Sequence, residues 1–142
     1  MGKSQMIYLD SNVFINAILY DDVKGQQSRN LLSFIQAEQP AATSALTFDE
    51  VNWIVRKAKG LELSLIASKN LLEIQNLEFL DVNITILWKA YNIIKEYGIA
   101  PRDAIHAACA ISNNIAIIVS EDEHFDNVKE LKRKTVEQVL RH

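Results

Sequence analysis

Four short apolar runs bounded by polar residues recur along this chain: MIYLD at 6–10, AATSA at 41–45, LEFLDV at 77–82 and IAIIVS at 115–120. Runs of that length read as buried strands, and the stretches between them carry apolar residues at helical spacing. A strand followed by one or two helices before the next strand has the crossover length that parallel pairing needs. Both faces of a parallel sheet must be covered, which predicts an α/β chain in three layers around a central parallel sheet of four to five strands.

The helical segments have recognisable ends. Ser11 and Asn12 start one that runs to about Tyr20, and Lys24–Gln39, with Leu31, Leu32 and Ile35, is stopped by Pro40. Thr47 with Glu50 has the form of a capping box, Gly60 of a terminator, and Phe48, Val51, Ile54, Val55 and Ala58 form one stripe between them. Further helices are predicted over Leu61–Gln75, over Ile84–Tyr97 closed by Gly98, over Arg102–Asn113 behind Pro101, and briefly around Thr135–Leu140 in the basic tail.

The sequence has 142 residues, 49% of them hydrophobic, enough for one sizeable core. It contains no linker, repeat or low-complexity stretch, so a single domain over 1–142 is expected. A net charge of -3 excludes a protein that holds nucleic acid chiefly by neutralising phosphates. Any such contact must be local or assisted by cations. Cys109 is the single cysteine and sits in AIHAACAI, which predicts a buried thiol and fits a reducing, intracellular setting. The first residues, MGKSQ, lack an apolar core, and no apolar run reaches the roughly 18 residues of a membrane span, so a cytoplasmic protein is expected.

A carboxylate at the end of an apolar run raises a question of cost, because burial disfavours it unless something pairs with it. Open α/β sheets supply an answer, since their functional crevice lies beyond the carboxyl ends of the strands. Asp10 ends the first strand, Asp122 follows the IAIIVS strand, and Glu50 and Asp103 fall in the first turns of helices. Four acids at such places can converge. Each also has a structural use: Asp10 as a helix cap, Glu50 in the capping box, Asp103 against a helix dipole. At 100° per residue Glu50 borders the stripe centred on Val51, whereas Asp49 points nearly the opposite way, into solvent. Within SEDEHFD, Glu121, Glu123, His124 and Asp126 compete with Asp122.

The ordered set YLDSNVF, FDEVNW, PRDAIHAA and IIVSEDEHF, spanning essentially the whole chain, resembles the PIN-domain nucleases, in particular the VapC toxins of toxin–antitoxin pairs. The resemblance implies that Asp10, Glu50, Asp103 and Asp122 are catalytic acids and metal ligands, with Asn12 and Ser120 in support. It implies Mg²⁺ or Mn²⁺, an RNA substrate cut at its phosphodiester bonds, and a cognate antitoxin. An all-carboxylate set suits those hard cations and not zinc, which takes His and Cys. Arg56, Lys57, Lys59 and Arg102 are candidates to hold RNA backbone, or are ordinary surface charge. His124 stands where the family often has a further Asp. His106, one turn after Asp103, reads as a partly buried structural histidine. Whether His106, His124 or Asp126 contributes stays open.

Two helices, 47–59 and 84–97, carry more large apolar residues than a small core needs, which predicts a symmetric homodimer. Three other functions compete. A haloacid-dehalogenase-type phosphotransferase needs a second Asp where this chain has Asn12, a non-catalytic PIN-like binding module would require a lost acid, and a PIN nuclease in RNA processing would need no antitoxin.

Overall fold

The computed structural model describes residues 5–141; residues 1–4, on which most of the MGKSQ reading falls, lie outside the described residues. Five strands, β1 (Ile7–Leu9), β2 (Ala41–Ser44), β3 (Leu77–Leu80), β4 (Ile117–Val119) and β5 (Lys132–Lys134), form one sheet in the order β3-β2-β1-β4-β5. Every pairing is parallel. Seven α-helices among the described residues complete the α/β architecture, α1 (Ser11–Leu19), α2 (Val23–Ala37), α3 (Ala45–Lys59), α4 (Leu61–Leu72), α5 (Ile84–Tyr97), α6 (Pro101–Ser112) and α7 (Val136–Leu140), with a short 3-10 helix over Glu123–Asn127.

Alternation along β1 divides the core in two. Tyr8 points to the face covered by α5 and α6, in one buried cluster with Ile93, Ala104, Ala108 and Ile118. Ile7 and Leu9 point to the other, with Val13, Leu31, Val51, Ala67 and Val136 from α1, α2, α3, α4 and α7. From β1 the chain moves outward to β2 and β3, then returns to place β4 on the opposite side of β1. The order therefore reverses at β1 and β4, and a crevice opens beyond their carboxyl ends.

Local chemistry fixes the elements. Asn83 caps α5 by accepting a hydrogen bond from the Ile86 N–H at 3.0 Å, and Gly98 ends it at φ 68°, a left-handed conformation that glycine adopts without strain. Gly25 serves a close approach, since a Cβ there would lie 1.8 Å from the Tyr20 carbonyl oxygen. Arg29 ties the same junction by donating to the carbonyls of Ala17 and Tyr20.

The structure corrects the sequence reading at two places and adds to it at a third. The capping box does not form: α3 begins at Ala45, two residues before Thr47, and the Thr47 hydroxyl lies buried 2.6 Å from that of Thr43. Its apolar stripe is narrower than predicted, because Val51 and Val55 are fully buried while Phe48 and Ile54 are each 37% exposed. The basic tail contains a fifth strand and also a capping box of its own, formed by Thr135 and Gln138 at α7. Charged residues on such an edge strand discourage pairing with another chain. Among the described residues no helix is long and apolar enough to cross a membrane.

Candidate active site

Asp10 leaves β1 at its carboxyl end and caps α1, and its backbone N–H donates to the Val119 carbonyl of β4 at 3.1 Å. The side chain is buried, 5% exposed for the residue, yet both oxygens are used. Oδ1 accepts from the Ser11 N–H and Oδ2 from the Ser120 hydroxyl, each at 2.7 Å. Burial pushes the Asp10 carboxyl up, against the opposing influence of the His106 charge and the Ser120 hydrogen bond.

Ser120, just after β4, joins the two sides of the crevice. Its oxygen donates to Asp10 and accepts from the Asp122 N–H at 2.9 Å and from Asn12 Nδ2 at 3.4 Å, which uses the full capacity of a hydroxyl. Asn12 Oδ1 is buried and has no hydrogen-bond partner among the described residues.

Glu50 arrives from α3 and Asp103 from the third position of α6. Glu50 Oε1 lies 2.7 Å from His106 Nε2, while Asp49 is exposed, as the helical register predicted. Burial tends to raise the Glu50 carboxyl, but the hydrogen bond and charge of His106, aided by Ser11 and Arg102, bring it below the ordinary glutamate range. Asp103 is pushed up to about 6 by its own burial and by the neighbouring Asp122 and Asp10 carboxylates. His124 Nδ1 is 3.1 Å from Asp122 and 3.6 Å from Asp103, so an imidazole stands beside the outer pair. One ligand atom from each of Asp103, Asp122 and His124 lies within 4.8 Å of the others.

Glu121 and Asp126 of the SEDEHFD cluster have other partners, and Glu123 is exposed. Glu121 accepts from the Val136 N–H at the start of α7, and Asp126 makes a two-pronged pair with Arg133 at 2.9 and 3.1 Å. Arg133 also donates to the Ser120 carbonyl, bracing the loop from outside. Of the basic residues, Arg102 is close enough for Glu50 to feel its charge. Arg56, Lys57 and Lys59 occupy the last turn of α3, about 9 to 14 Å along the helix axis from Glu50.

His106 departs from its sequence reading. It is 1% exposed, fully rather than partly buried, and it links Glu50 to Tyr8, whose hydroxyl is 2.7 Å from Nδ1. The spacing after Asp103 put both residues on one side of α6, but the partner Tyr8 carried no sequence signal. Cys109 is buried, and burial raises its thiol. An apolar groove of about 470 Å³ between α1, α2 and α4 is lined by none of the four candidate acids. The carboxylates lie instead at the open end of the sheet.

A parallel sheet with acids gathered where its strand order reverses is the arrangement of a PIN domain, and the chain belongs to the PIN domain family, whose pattern matches residues 7–131. Solved structures share the fold. VapBC2 from Rickettsia felis, bound to a DNA fragment from its promoter, superposes with a TM-score of 0.73 at 20% identity over 92% of this chain and 98% of that one. DNA-bound VapBC from Salmonella typhimurium gives 0.73 at 18% identity, covering 93% and 98%. VapC20 of Mycobacterium tuberculosis, a toxin that cleaves the sarcin-ricin loop, gives 0.71 at 14% identity, covering 84% and 92%. No curated protein matches the chain by sequence.

Proposed function

We propose that this protein is a metal-dependent endoribonuclease, folded as one domain over 1–142, and the toxin of a VapBC-type pair. The observation that carries the reading is an accumulation of carboxylates with too little positive charge. Asp10, Glu50, Asp103 and Asp122 converge, Asp103 is pushed up to about 6, and among the described residues no lysine or arginine forms an ion pair with any of the four. Ion pairs with Lys or Arg are made elsewhere on the surface, as at Arg133 and Asp126.

The donor set fits a hard divalent cation. Asp10, Glu50, Asp103 and Asp122 offer carboxylate oxygens, and the unpartnered Asn12 Oδ1 adds a carbonyl. When bound, Mg²⁺ or Mn²⁺ would supply a Lewis acid that offsets phosphate charge and activates water. Asp10 is held rigid by Ser11 and Ser120. Glu50, kept ionised by His106, is suited to orient water for in-line attack on the phosphorus. Hydrolysis adds that water across the P–O bond, leaving a phosphate on one fragment and a hydroxyl on the other. Arg102, beside Glu50, is placed to hold a neighbouring phosphate.

The toxin reading is supported by the likeness to VapBC assemblies and to a toxin that cleaves the sarcin-ricin loop. A homodimer is supported by exposed large residues on α3 and α5, including Trp53 at 56% and Trp88 at 62%. The deciding experiment incubates purified protein with assorted RNAs in Mg²⁺, in Mn²⁺ and in EDTA, beside Asp10→Asn. Cleavage by wild type with metal, lost in EDTA and in the variant, is the expected result. RNA left intact by wild type in both metals would reject the activity.

A further inference from the structure

His106 lies beneath the acids, and both ring nitrogens are engaged: Nε2 at 2.7 Å from Glu50 Oε1 and Nδ1 at 2.7 Å from the Tyr8 hydroxyl. We infer that His106 is a positioning residue that fixes the Glu50 carboxylate in the acidic site, and that Tyr8 braces the ring from its other nitrogen. The inference rests on the nuclease reading above for its catalytic consequence, but not for its geometry.

The direction of the relay follows from hydrogen-bond chemistry. An ionised carboxylate can only accept, so Nε2 must carry a hydrogen toward Glu50. Nδ1 meets the Tyr8 hydroxyl, which donates to a neutral ring and accepts from a protonated one, so the ring is held from both sides in either state. Asp10 Oδ1 is also near Nε2, at 3.6 Å, too far for a good hydrogen bond. The ring therefore favours Glu50 and leaves Asp10 to Ser11 and Ser120.

Two simpler roles fit less well. As a metal ligand His106 would need a lone pair facing the site, but Nε2 spends its hydrogen on Glu50 and Nδ1 faces Tyr8 on the core side. As mere filling, an apolar residue would avoid the cost of burying a polar ring. The neighbouring Ala104, Ala107 and Ala108 are all fully buried small residues that let α6 lie close against the sheet. That closeness brings the ring of an α6 residue to within hydrogen-bonding distance of both β1 and α3.

The test compares His106→Gln with His106→Asn. A glutamine amide nitrogen can take the place of Nε2 and donate to Glu50, whereas the shorter asparagine amide matches Nδ1. Folding is checked by thermal melting, Mn²⁺ affinity by calorimetry, and kcat and KM on a cleaved RNA. Asparagine is expected to lower Mn²⁺ affinity and kcat by about 10- to 100-fold with KM little changed, and glutamine to recover most of both. In a Glu50→Gln background, His106→Asn should have no further effect on Mn²⁺ affinity, because the residue it acts through is already altered. Equal behaviour of the two substitutions, or an undiminished effect in that background, would overturn the inference. Should both His106 variants fail to fold, Tyr8→Phe decides: reduced Mn²⁺ affinity is expected, and wild-type affinity would refute the relay. If wild type cleaves no RNA while the Mn²⁺ pattern holds, the nuclease reading fails and the positioning role stands.

Discussion

Ser120 donates a hydrogen bond of 2.7 Å to Asp10 although 110 positions separate the two in sequence. The contact crosses the point where β1 and β4 lie side by side, so the pairing of two strands is transmitted to the orientation of a buried carboxylate. The same oxygen accepts the Asp122 N–H, which makes one hydroxyl the common support of two candidate acids.

Ser120→Ala should therefore do more than a surface change. It leaves the buried Asp10 Oδ2 and the Asp122 N–H without their partner, an expected loss of about 1 to 3 kcal/mol in urea unfolding. Mn²⁺ affinity should fall as well, because Asp10 would no longer be held on both oxygens. Unchanged stability would mean that water replaces the hydroxyl without cost.

Asp103 gives a pH dependence with a definite sign. Its carboxyl titrates near 6 in the folded protein, against an ordinary value of 3.8. Between those values the folded state holds a proton that the unfolded state has lost, so stability falls as pH rises and the whole penalty is present above about 6. Close carboxylate pairs repel by roughly 1 to 4 kcal/mol, depending on solvent access. Metal-free Asp103→Asn should thus be more stable than wild type at neutral pH and lose that advantage below the unfolded value of 3.8. Mg²⁺ or Mn²⁺ should raise the melting temperature of wild type much more than that of the variant. Urea titrations in EDTA across this range provide the measurement, and a variant weaker than wild type at neutral pH would contradict the repulsion.

Glu50 and Asp49 are neighbours with opposite surroundings. Glu50→Gln keeps the size of the side chain but removes the charge that His106 and the site depend on, so cleavage should drop at least tenfold with little loss of helix. Asp49→Asn alters an exposed side chain and should leave activity within twofold, since surface substitutions of this kind usually cost less than about 0.5 kcal/mol. Parallel losses in both variants, read by RNA cleavage and far-ultraviolet circular dichroism, would argue against the observed register of α3.

What the sequence disclosed followed from local periodicity. Asp10 stands after an apolar run, Val51 and Val55 recur at helical spacing, and Gly98 ends a helix, each readable without knowing the partner element. The places that were obscure depend on distant contacts. The T-x-x-E spacing of Thr47 and Glu50 imitates a capping box, but the Thr43–Thr47 side-chain contact puts Thr47 inside a helix that has already begun at Ala45. Lys132–Lys134 has no apolar alternation, and it becomes a strand only through its pairing with β4. His106 shows its spacing from Asp103, but its depth and partners arise from the close packing of α6 against Tyr8.

The proposed toxin role makes a prediction in cells. An unregulated ribonuclease harms its own host, so expression of this chain alone should slow growth, and Asp10→Asn, which removes a carboxylate from the site, should relieve it. A companion protein that controls the enzyme has an electrostatic opening, because the carboxylates at the crevice lack an arginine or lysine ion-pair partner among the described residues. An arginine from that companion, with its planar fork, would pair with two carboxylate oxygens and compete with the metal. A small protein encoded beside this chain should then copurify with it and inhibit cleavage, and replacing its arginine should weaken inhibition more at low Mn²⁺ than at high, where the metal already displaces the arginine. Growth unaffected by a form that cleaves RNA in vitro would point instead to an RNA-processing enzyme that needs no such companion.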